Sequence, residues 1–127
     1  MSVGVLIDSC LFIDHMRSKN KANSPLADVL YRHSGLVIST VVEYEIEVGM
    51  TAFHRELWNS ILEDLTVVPF TSPMALLACE IKHRLKAKNK QIELADLFIA
   101  ATAMVYDLPL ATLNRKHFEP IEGLKLL

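Results

Sequence analysis

The sequence has few of the residues that mark disordered, disulfide-bonded or membrane-spanning proteins. Four glycines and five prolines occur in 127 residues, so low-complexity linkers are excluded. The two cysteines, Cys10 and Cys79, are too few for a disulfide framework, and we expect both to be buried free thiols in a reducing compartment. No apolar run reaches the length of a membrane span, and the N-terminal run lacks the basic lead of a signal peptide. The expected location is therefore the cytoplasm.

Neither sign of charge is in excess. The sequence contains thirteen lysines and arginines and fifteen acids. The resulting net charge of -2 argues against a protein that binds polyanions over its whole surface. A nucleic-acid contact would need a local patch, and the candidates are the basic run from Lys82 to Lys90 and the turn Arg115-Lys116. Cations that offset the dipole at a solvated helix end are the alternative explanation for the lysine run.

The apolar residues predict a layered fold. Hydrophobic residues make up 51% of the chain, and its length is sufficient for one buried core, so we expect a single domain over residues 1–127. Short β-branched runs alternate with segments of helical periodicity, which predicts an α/β protein with three α/β/α layers and a central, mainly parallel sheet. The predicted strands are residues 3–7, 36–39, 66–68 and 108–111, with 124–127 as a possible last strand.

Start signals and apolar spacing predict the helices. Ser24-Pro25 and Ser72-Pro73 are typical of a serine cap followed by proline in the first turn, and Thr40 and Glu43 have the spacing of a capping box. A stripe that contains Phe53 and Trp58 is more typical of core than of a partner surface. The predicted helices cover residues 10–16, 26–33, 40–49, 53–65, 72–88 and 94–104.

Three acids stand where the carboxyl edge of such a sheet is expected. Asp8 ends the first strand, Glu45 lies in the helix after the second strand, and Asp96 opens the most apolar helix. Ligands of open α/β sheets bind at this edge. Each acid alone has a structural explanation, because Asp8 can cap a helix, Glu45 can be a solvated helix residue, and Asp96 can complement a helix dipole.

Taken together, the three acids predict a metal site. Carboxylates brought close together repel and raise one another's pKa unless a cation neutralises them. Mg²⁺ and Mn²⁺ take such oxygen ligands and keep waters for a substrate. A bound metal can generate hydroxide and stabilise the charge that develops on a phosphodiester during displacement.

The same residues resemble the PIN domain, and within that superfamily the chain is most similar to the VapC-type toxins of prokaryotic toxin–antitoxin pairs. The segments that carry the resemblance are residues 6–9, 39–49 with Glu45-x-x-x-Gly49, 96–103, 111–118 and the tail 123–126. The resemblance implies a Mg²⁺- or Mn²⁺-dependent endoribonuclease that cuts RNA as the toxin of a type II pair. It also implies a homodimer that a small cognate antitoxin protein inhibits.

Carried over residue by residue, the resemblance implies five catalytic residues. Asp8 and Asp96 would be the main metal ligands, and Glu45 would complete the acidic set directly or through water. Thr112 and Asn114 match polar positions at the end of the fourth strand, where they would position water or phosphate.

The chain departs from the family pattern at three positions. His117 stands where many members carry a fourth acid, and it would either face the phosphate or lie on the surface. Ser9 replaces the usual threonine, and Cys10 replaces a small polar residue. These changes keep open a second function, a catalytically weak or inactive PIN-like module that binds RNA or protein. A phosphoacceptor receiver domain and a two-aspartate phosphatase are disfavoured, because Ser9 and Cys10 follow Asp8 where either would need a second acid.

Overall fold

A parallel sheet of four strands forms the centre of the protein in the computed structural model, which describes residues 4–127. The strand order is β3-β2-β1-β4, and all three neighbouring pairs are parallel. Leu6 of β1 pairs with Val37 on one side and Leu110 on the other. The predicted parallel sheet is confirmed; Val3, the predicted start of the first strand, lies outside the described residues. The strands are β1 (Val5–Ile7), β2 (Leu36–Ser39), β3 (Thr66–Val68) and β4 (Leu110–Ala111).

Seven helices lie between and after the strands among residues 4–127. They are α1 (Ser9–Arg17), α2 (Pro25–Arg32), α3 (Thr40–Val48), α4 (Ala52–Leu62), α5 (Ser72–Ala87), α6 (Leu94–Val105) and α7 (Arg115–Phe118), with a 3₁₀ turn at Lys21–Asn23. Because connections between parallel strands are almost always right-handed, the strand order predicts the first four helices on one face of the sheet and α5 and α6 on the other. The packing agrees, because α1 contacts α2, α3 and α4, while α5 packs on α6. Within residues 4–127 no helix combines the length and apolar character needed to cross a bilayer.

The core lies between the sheet and the helices on each face. All three residues of β1 are fully buried, as expected for a central strand with helices above and below. Ala100, Ala101 and Ala103 of α6 are buried and small, so this helix can approach the strands closely. Trp58 is fully buried and meets Phe12 edge to face at 5.3 Å between ring centroids, so the core interpretation of its stripe is confirmed at Trp58. Phe53, in contrast, is 88% exposed.

Two helices begin where predicted but are capped by the residue before the one expected. Ser39 rather than Thr40 caps α3, because Ser39 Oγ accepts from the Val42 N–H at 3.1 Å. Thr40 Oγ1 instead accepts from the Phe70 N–H at 3.2 Å, so the predicted capping box was wrong. Thr71 rather than Ser72 caps α5. The Ser24-Pro25 start of α2 is confirmed, with Ser24 Oγ accepting from the Ala27 N–H.

Two further expectations differ from the structure. The possible last strand is reduced to one isolated bridge, between Leu110 and Leu126. Cys79 is exposed on α5 and Cys10 is half-buried, so neither thiol is enclosed in the core as expected. Cys79 is exposed because its position on the helix points it away from the buried face of α5, which Ala78 and Ile81 occupy.

Candidate active site

The carboxyl ends of β1 and β4 meet at one edge of the sheet and carry polar side chains there. Asp8 directly follows β1, and Thr112 directly follows β4. The Asp8 N–H donates to the Ala111 carbonyl at 2.9 Å, so the backbone ladder holds the two strand ends side by side. This pairing brings together two predicted site residues that are 104 positions apart.

The Asp8 carboxylate is held in one orientation by three donors. Asp8 is only 3% exposed. Its Oδ1 accepts from the Ser9 N–H at 2.8 Å, which is the N-cap bond of α1. Its Oδ2 accepts from Thr112 Oγ1 at 2.7 Å and from the Cys10 thiol at 3.4 Å. Asp8 is therefore a helix cap and also lies at the predicted site, where its bonds leave it little freedom to turn.

Glu45 faces the same site from α3. Its Oε1 accepts from Ser9 Oγ at 3.0 Å. Burial raises the pKa of Glu45, the negative charges of Asp8 and Asp96 raise it further, and the Ser9 bond opposes them. Glu47, two residues on, points elsewhere and binds Arg55 at 2.7 Å. Glu45 is therefore half-buried and turned inward, so the solvated-helix explanation does not describe it.

Asp96 lies in the first turn of α6, where the helix dipole favours its charge. Burial raises its pKa, and the charge of Asp8 adds to this effect. His117 opposes it, because His117 Nδ1 lies 3.4 Å from Asp96 Oδ2. The imidazole is 57% exposed. His117 therefore lies on the surface and also contacts an acid of the site, while a contact with the substrate phosphate stays a prediction.

Cys10 is part of this site, although sequence reasoning saw it only as a departure from a pattern. Its thiol donates to Asp8 and accepts from the Leu113 N–H at 3.3 Å, so it joins α1 to the turn after β4. Burial and the neighbouring Asp8 charge raise the pKa of this thiol, which favours the protonated donor form. Thr112 Oγ1 accepts from the Asn114 N–H at 3.0 Å and so shapes the same turn. Asn114 itself is exposed at the start of α7.

The donor set has the chemistry of a hard divalent cation site. The charge of Asp8 raises the pKa of both Glu45 and Asp96, so the three carboxylates repel one another. A cation bound among the three carboxylates would offset their repulsion. Carboxylate oxygens are ligands that suit Mg²⁺ or Mn²⁺. Within residues 4–127 no three His, Cys, Asp or Glu side chains form a ready cage for a metal ion. Mg²⁺ is commonly held by one or two carboxylates together with waters, and these acids fit that mode.

Comparison with known proteins identifies the family of this chain. The profile of the PIN domain family matches residues 5–123. Ribonuclease VapC10 of Mycobacterium tuberculosis is 41% identical over 95% of this chain and 90% of its own length. The crystal structure of VapBC2 from Rickettsia felis, bound to a promoter DNA fragment, has a TM-score of 0.82 at 20% identity and covers 98% of both chains. A toxin-antitoxin complex from Klebsiella pneumoniae has a TM-score of 0.74 at 24% identity and covers 94% of both chains. The chain therefore belongs to the PIN domain family, alongside relatives named ribonuclease VapC.

Proposed function

We propose that this protein is a metal-dependent endoribonuclease, the toxin of a type II toxin–antitoxin pair. The observation that carries the proposal is the group of Asp8, Glu45 and Asp96, in which Asp8 raises the pKa of both partners at one sheet edge. A structural role alone would not require three acids that destabilise one another. The similarity to ribonuclease VapC10 supports RNA as the substrate.

Asp8 and Asp96 would hold one Mg²⁺ or Mn²⁺ ion, with Glu45 bound directly or through water. Such an ion supplies an activated water and stabilises negative charge on the phosphate. Ser9 holds Oε1 of Glu45, so we assign Oε2 as the atom that accepts a proton from the attacking water. A carboxylate placed beside the attacking water can act in this way as a general base. The new water–phosphorus bond forms as the bond to the leaving ribose oxygen breaks, and that oxygen takes a proton from solvent.

Thr112 and Asn114 act around this centre. Thr112 Oγ1 fixes Asp8 through a 2.7 Å bond, which keeps the carboxylate oriented during turnover. Asn114 is exposed beside it, where its amide can contact water or a substrate phosphate.

The proposed partners are a cognate antitoxin and a second copy of the chain. Tyr44 and Val48 lie one turn apart on α3 and are both exposed, as is Phe53 on α4. Exposed apolar side chains in such a group are typical of a protein interface. The solved complexes of structural neighbours with their antitoxins support the proposal. Light scattering of the purified chain tests the dimer, and co-purification with the product of an adjacent small gene tests the antitoxin.

The decisive experiment is cleavage of a mixed cellular RNA pool with Mn²⁺, Mg²⁺ or EDTA. Asp8→Asn and Asp96→Asn are tested in parallel, and Asp14→Asn, an exposed acid on α1, is the matched control. We expect metal-dependent cleavage that both site variants abolish and the control retains. Cleavage that survives in both site variants would refute the assignment. Metal binding without any cleavage would favour the inactive binding module, which the His117–Asp96 contact at the position of a fourth acid also allows.

A further inference from the structure

The acidic site cannot by itself attract an RNA strand. Asp8, Glu45 and Asp96 are negative, Glu93 lies close enough to Asp96 to raise its pKa, and the chain as a whole carries a charge of -2. A phosphodiester backbone is repelled by such a surface, and one bound metal ion neutralises only part of it. Most of the affinity for a polyanion must therefore come from cations outside the site.

The cations on α5 and just after it fall into two groups that differ in whether a carboxylate neutralises them. Arg84 binds Glu80 at 3.2 Å, and Lys88 binds Glu122 at 2.6 Å. Lys82 and Lys86 lie one turn apart, are exposed, and take part in none of the ion pairs found among residues 4–127. The same holds for Lys90, just beyond the helix, and for Lys116, which lies on a separate helix, α7.

The turn after α5 brings Lys90 back beside the helix. The Lys90 N–H donates to the Leu85 carbonyl at 2.8 Å, and the Asn89 N–H donates to the Lys86 carbonyl at 3.0 Å. These two bonds form a Schellman motif, with Asn89 in the left-handed region at φ 58°. The chain reverses here, so Lys90 borders the same hollow as Lys82 and Lys86.

Two surface hollows connect these lysines to the acidic site. One is bordered by Lys82, Lys86 and Lys90. The other, of about 400 Å³, is bordered by Lys90, Lys116 and His117, with Glu93 as the one carboxylate among the described residues on its border. The two hollows share Lys90, Gln91 and Ile92, so they are adjacent. The second hollow ends at His117, which contacts Asp96.

We propose that Lys82, Lys86, Lys90 and Lys116 form a lysine track that holds the sugar–phosphate backbone of single-stranded RNA leading to the acidic site. The inference rests on the proposed function, since it gives that site its substrate path. Among the described residues that border the two hollows, none is Phe, Tyr or Trp, so the track lacks the large rings on which bases commonly stack. It contacts phosphates and contributes affinity, while the choice of cleavage sequence is made elsewhere.

The test measures binding without cleavage. A short fluorescein-labelled oligouridylate is titrated in EDTA, and fluorescence anisotropy gives the dissociation constant at several salt concentrations. The track variant carries Lys82→Gln, Lys86→Gln and Lys90→Gln. The control carries Arg84→Gln, Lys88→Gln and Lys125→Gln, which removes the same charge from residues that acids already neutralise.

Each phosphate contact to a single strand contributes about 0.7 to the slope of log affinity against log salt, so the track variant should lose about 2 units of slope. Raising the salt from 50 to 200 mM increases the dissociation constant of both proteins. The fold-increase should be roughly 20 times smaller for the track variant than for the wild type. The control should keep nearly the whole wild-type slope. Equal losses in both variants, or no loss in the track variant, would overturn the proposal. If the binding results are as expected but the wild-type protein cuts no RNA, the lysine track is upheld and the proposed nuclease activity is refuted.

Discussion

Thr112 offers the sharpest test of how the site is built. Its Oγ1 donates to Asp8 Oδ2 at 2.7 Å and accepts from the Asn114 N–H at 3.0 Å. Thr112→Val keeps the shape of the side chain and replaces only the hydroxyl with a methyl group. The buried Asp8 oxygen then keeps one weak thiol donor, from Cys10 at 3.4 Å.

The size of the effect follows from these partners. A hydrogen bond to a charged group contributes about 1.5–3 kcal/mol, so Thr112→Val should lower the free energy of unfolding by about 2 kcal/mol. Asn114 adds little to the loss, because it is exposed and water can replace the hydroxyl. For a chain of this length we expect Tm to fall by roughly 6–10 °C. RNA cleavage should fall as well, because Asp8 loses its orientation.

Urea unfolding followed by circular dichroism in EDTA gives the stability difference without a contribution from metal. Thr112→Ser is the matched control, since it keeps the hydroxyl and loses only a methyl group. Thr51→Val is a second control, because Thr51 is exposed and its hydroxyl bonds to His54 Nδ1 at 3.3 Å. If Thr112→Val proves as stable as Thr112→Ser, the bond to Asp8 contributes nothing and the reasoning fails.

Three further predictions test the electrostatics and the scaffold. The pKa of Glu45 is raised above 4.5 in the folded protein, so metal-free stability should fall as pH rises through the raised value. Glu45→Gln should reduce that fall, leaving the part that the raised pKa of Asp96 contributes, and it should raise Tm in EDTA at neutral pH and shrink the stabilisation by Mn²⁺; an unchanged pH profile would contradict this. Trp58→Ala should cost about 3–5 kcal/mol in urea unfolding and Trp58→Phe far less, because the indole fills the core while its bond to Glu47 is partly exposed. Asn89→Ala should lose about 1 kcal/mol and Asn89→Gly almost nothing, a difference in Tm that tests the left-handed turn.

The elements of the fold could be predicted because local patterns determine them. The β1 run and the apolar α6 are fully or largely buried, and such segments have few alternatives to packing in a layered α/β core. The acids of the site could be predicted for a related reason. In a parallel sheet, residues that follow different strands meet at one edge, as Asp8 and Thr112 do.

Hydrogen-bond partners at the site could not be predicted in the same way. Ser39 and Thr40 are adjacent hydroxyls, and either could cap α3; the choice depends on Phe70, thirty residues on, whose N–H needs an acceptor. Cys10 joins Asp8 to Leu113 only because β4 lies next to β1. Contacts of this kind depend on tertiary neighbours, which the spacing of residues along the chain does not encode.

The pairing of β1 with β4 also determines when the site can exist. On the ribosome, Asp8 is synthesised first and Thr112 is added 104 residues later. At a synthesis rate of about 5–20 residues per second, several seconds pass before β4 and the hydroxyl of Thr112 have been synthesised. Asp96 likewise arrives late and contacts His117 from the final helix. Completion of the acidic site therefore coincides with completion of the fold, and a fragment truncated before β4 has no assembled site.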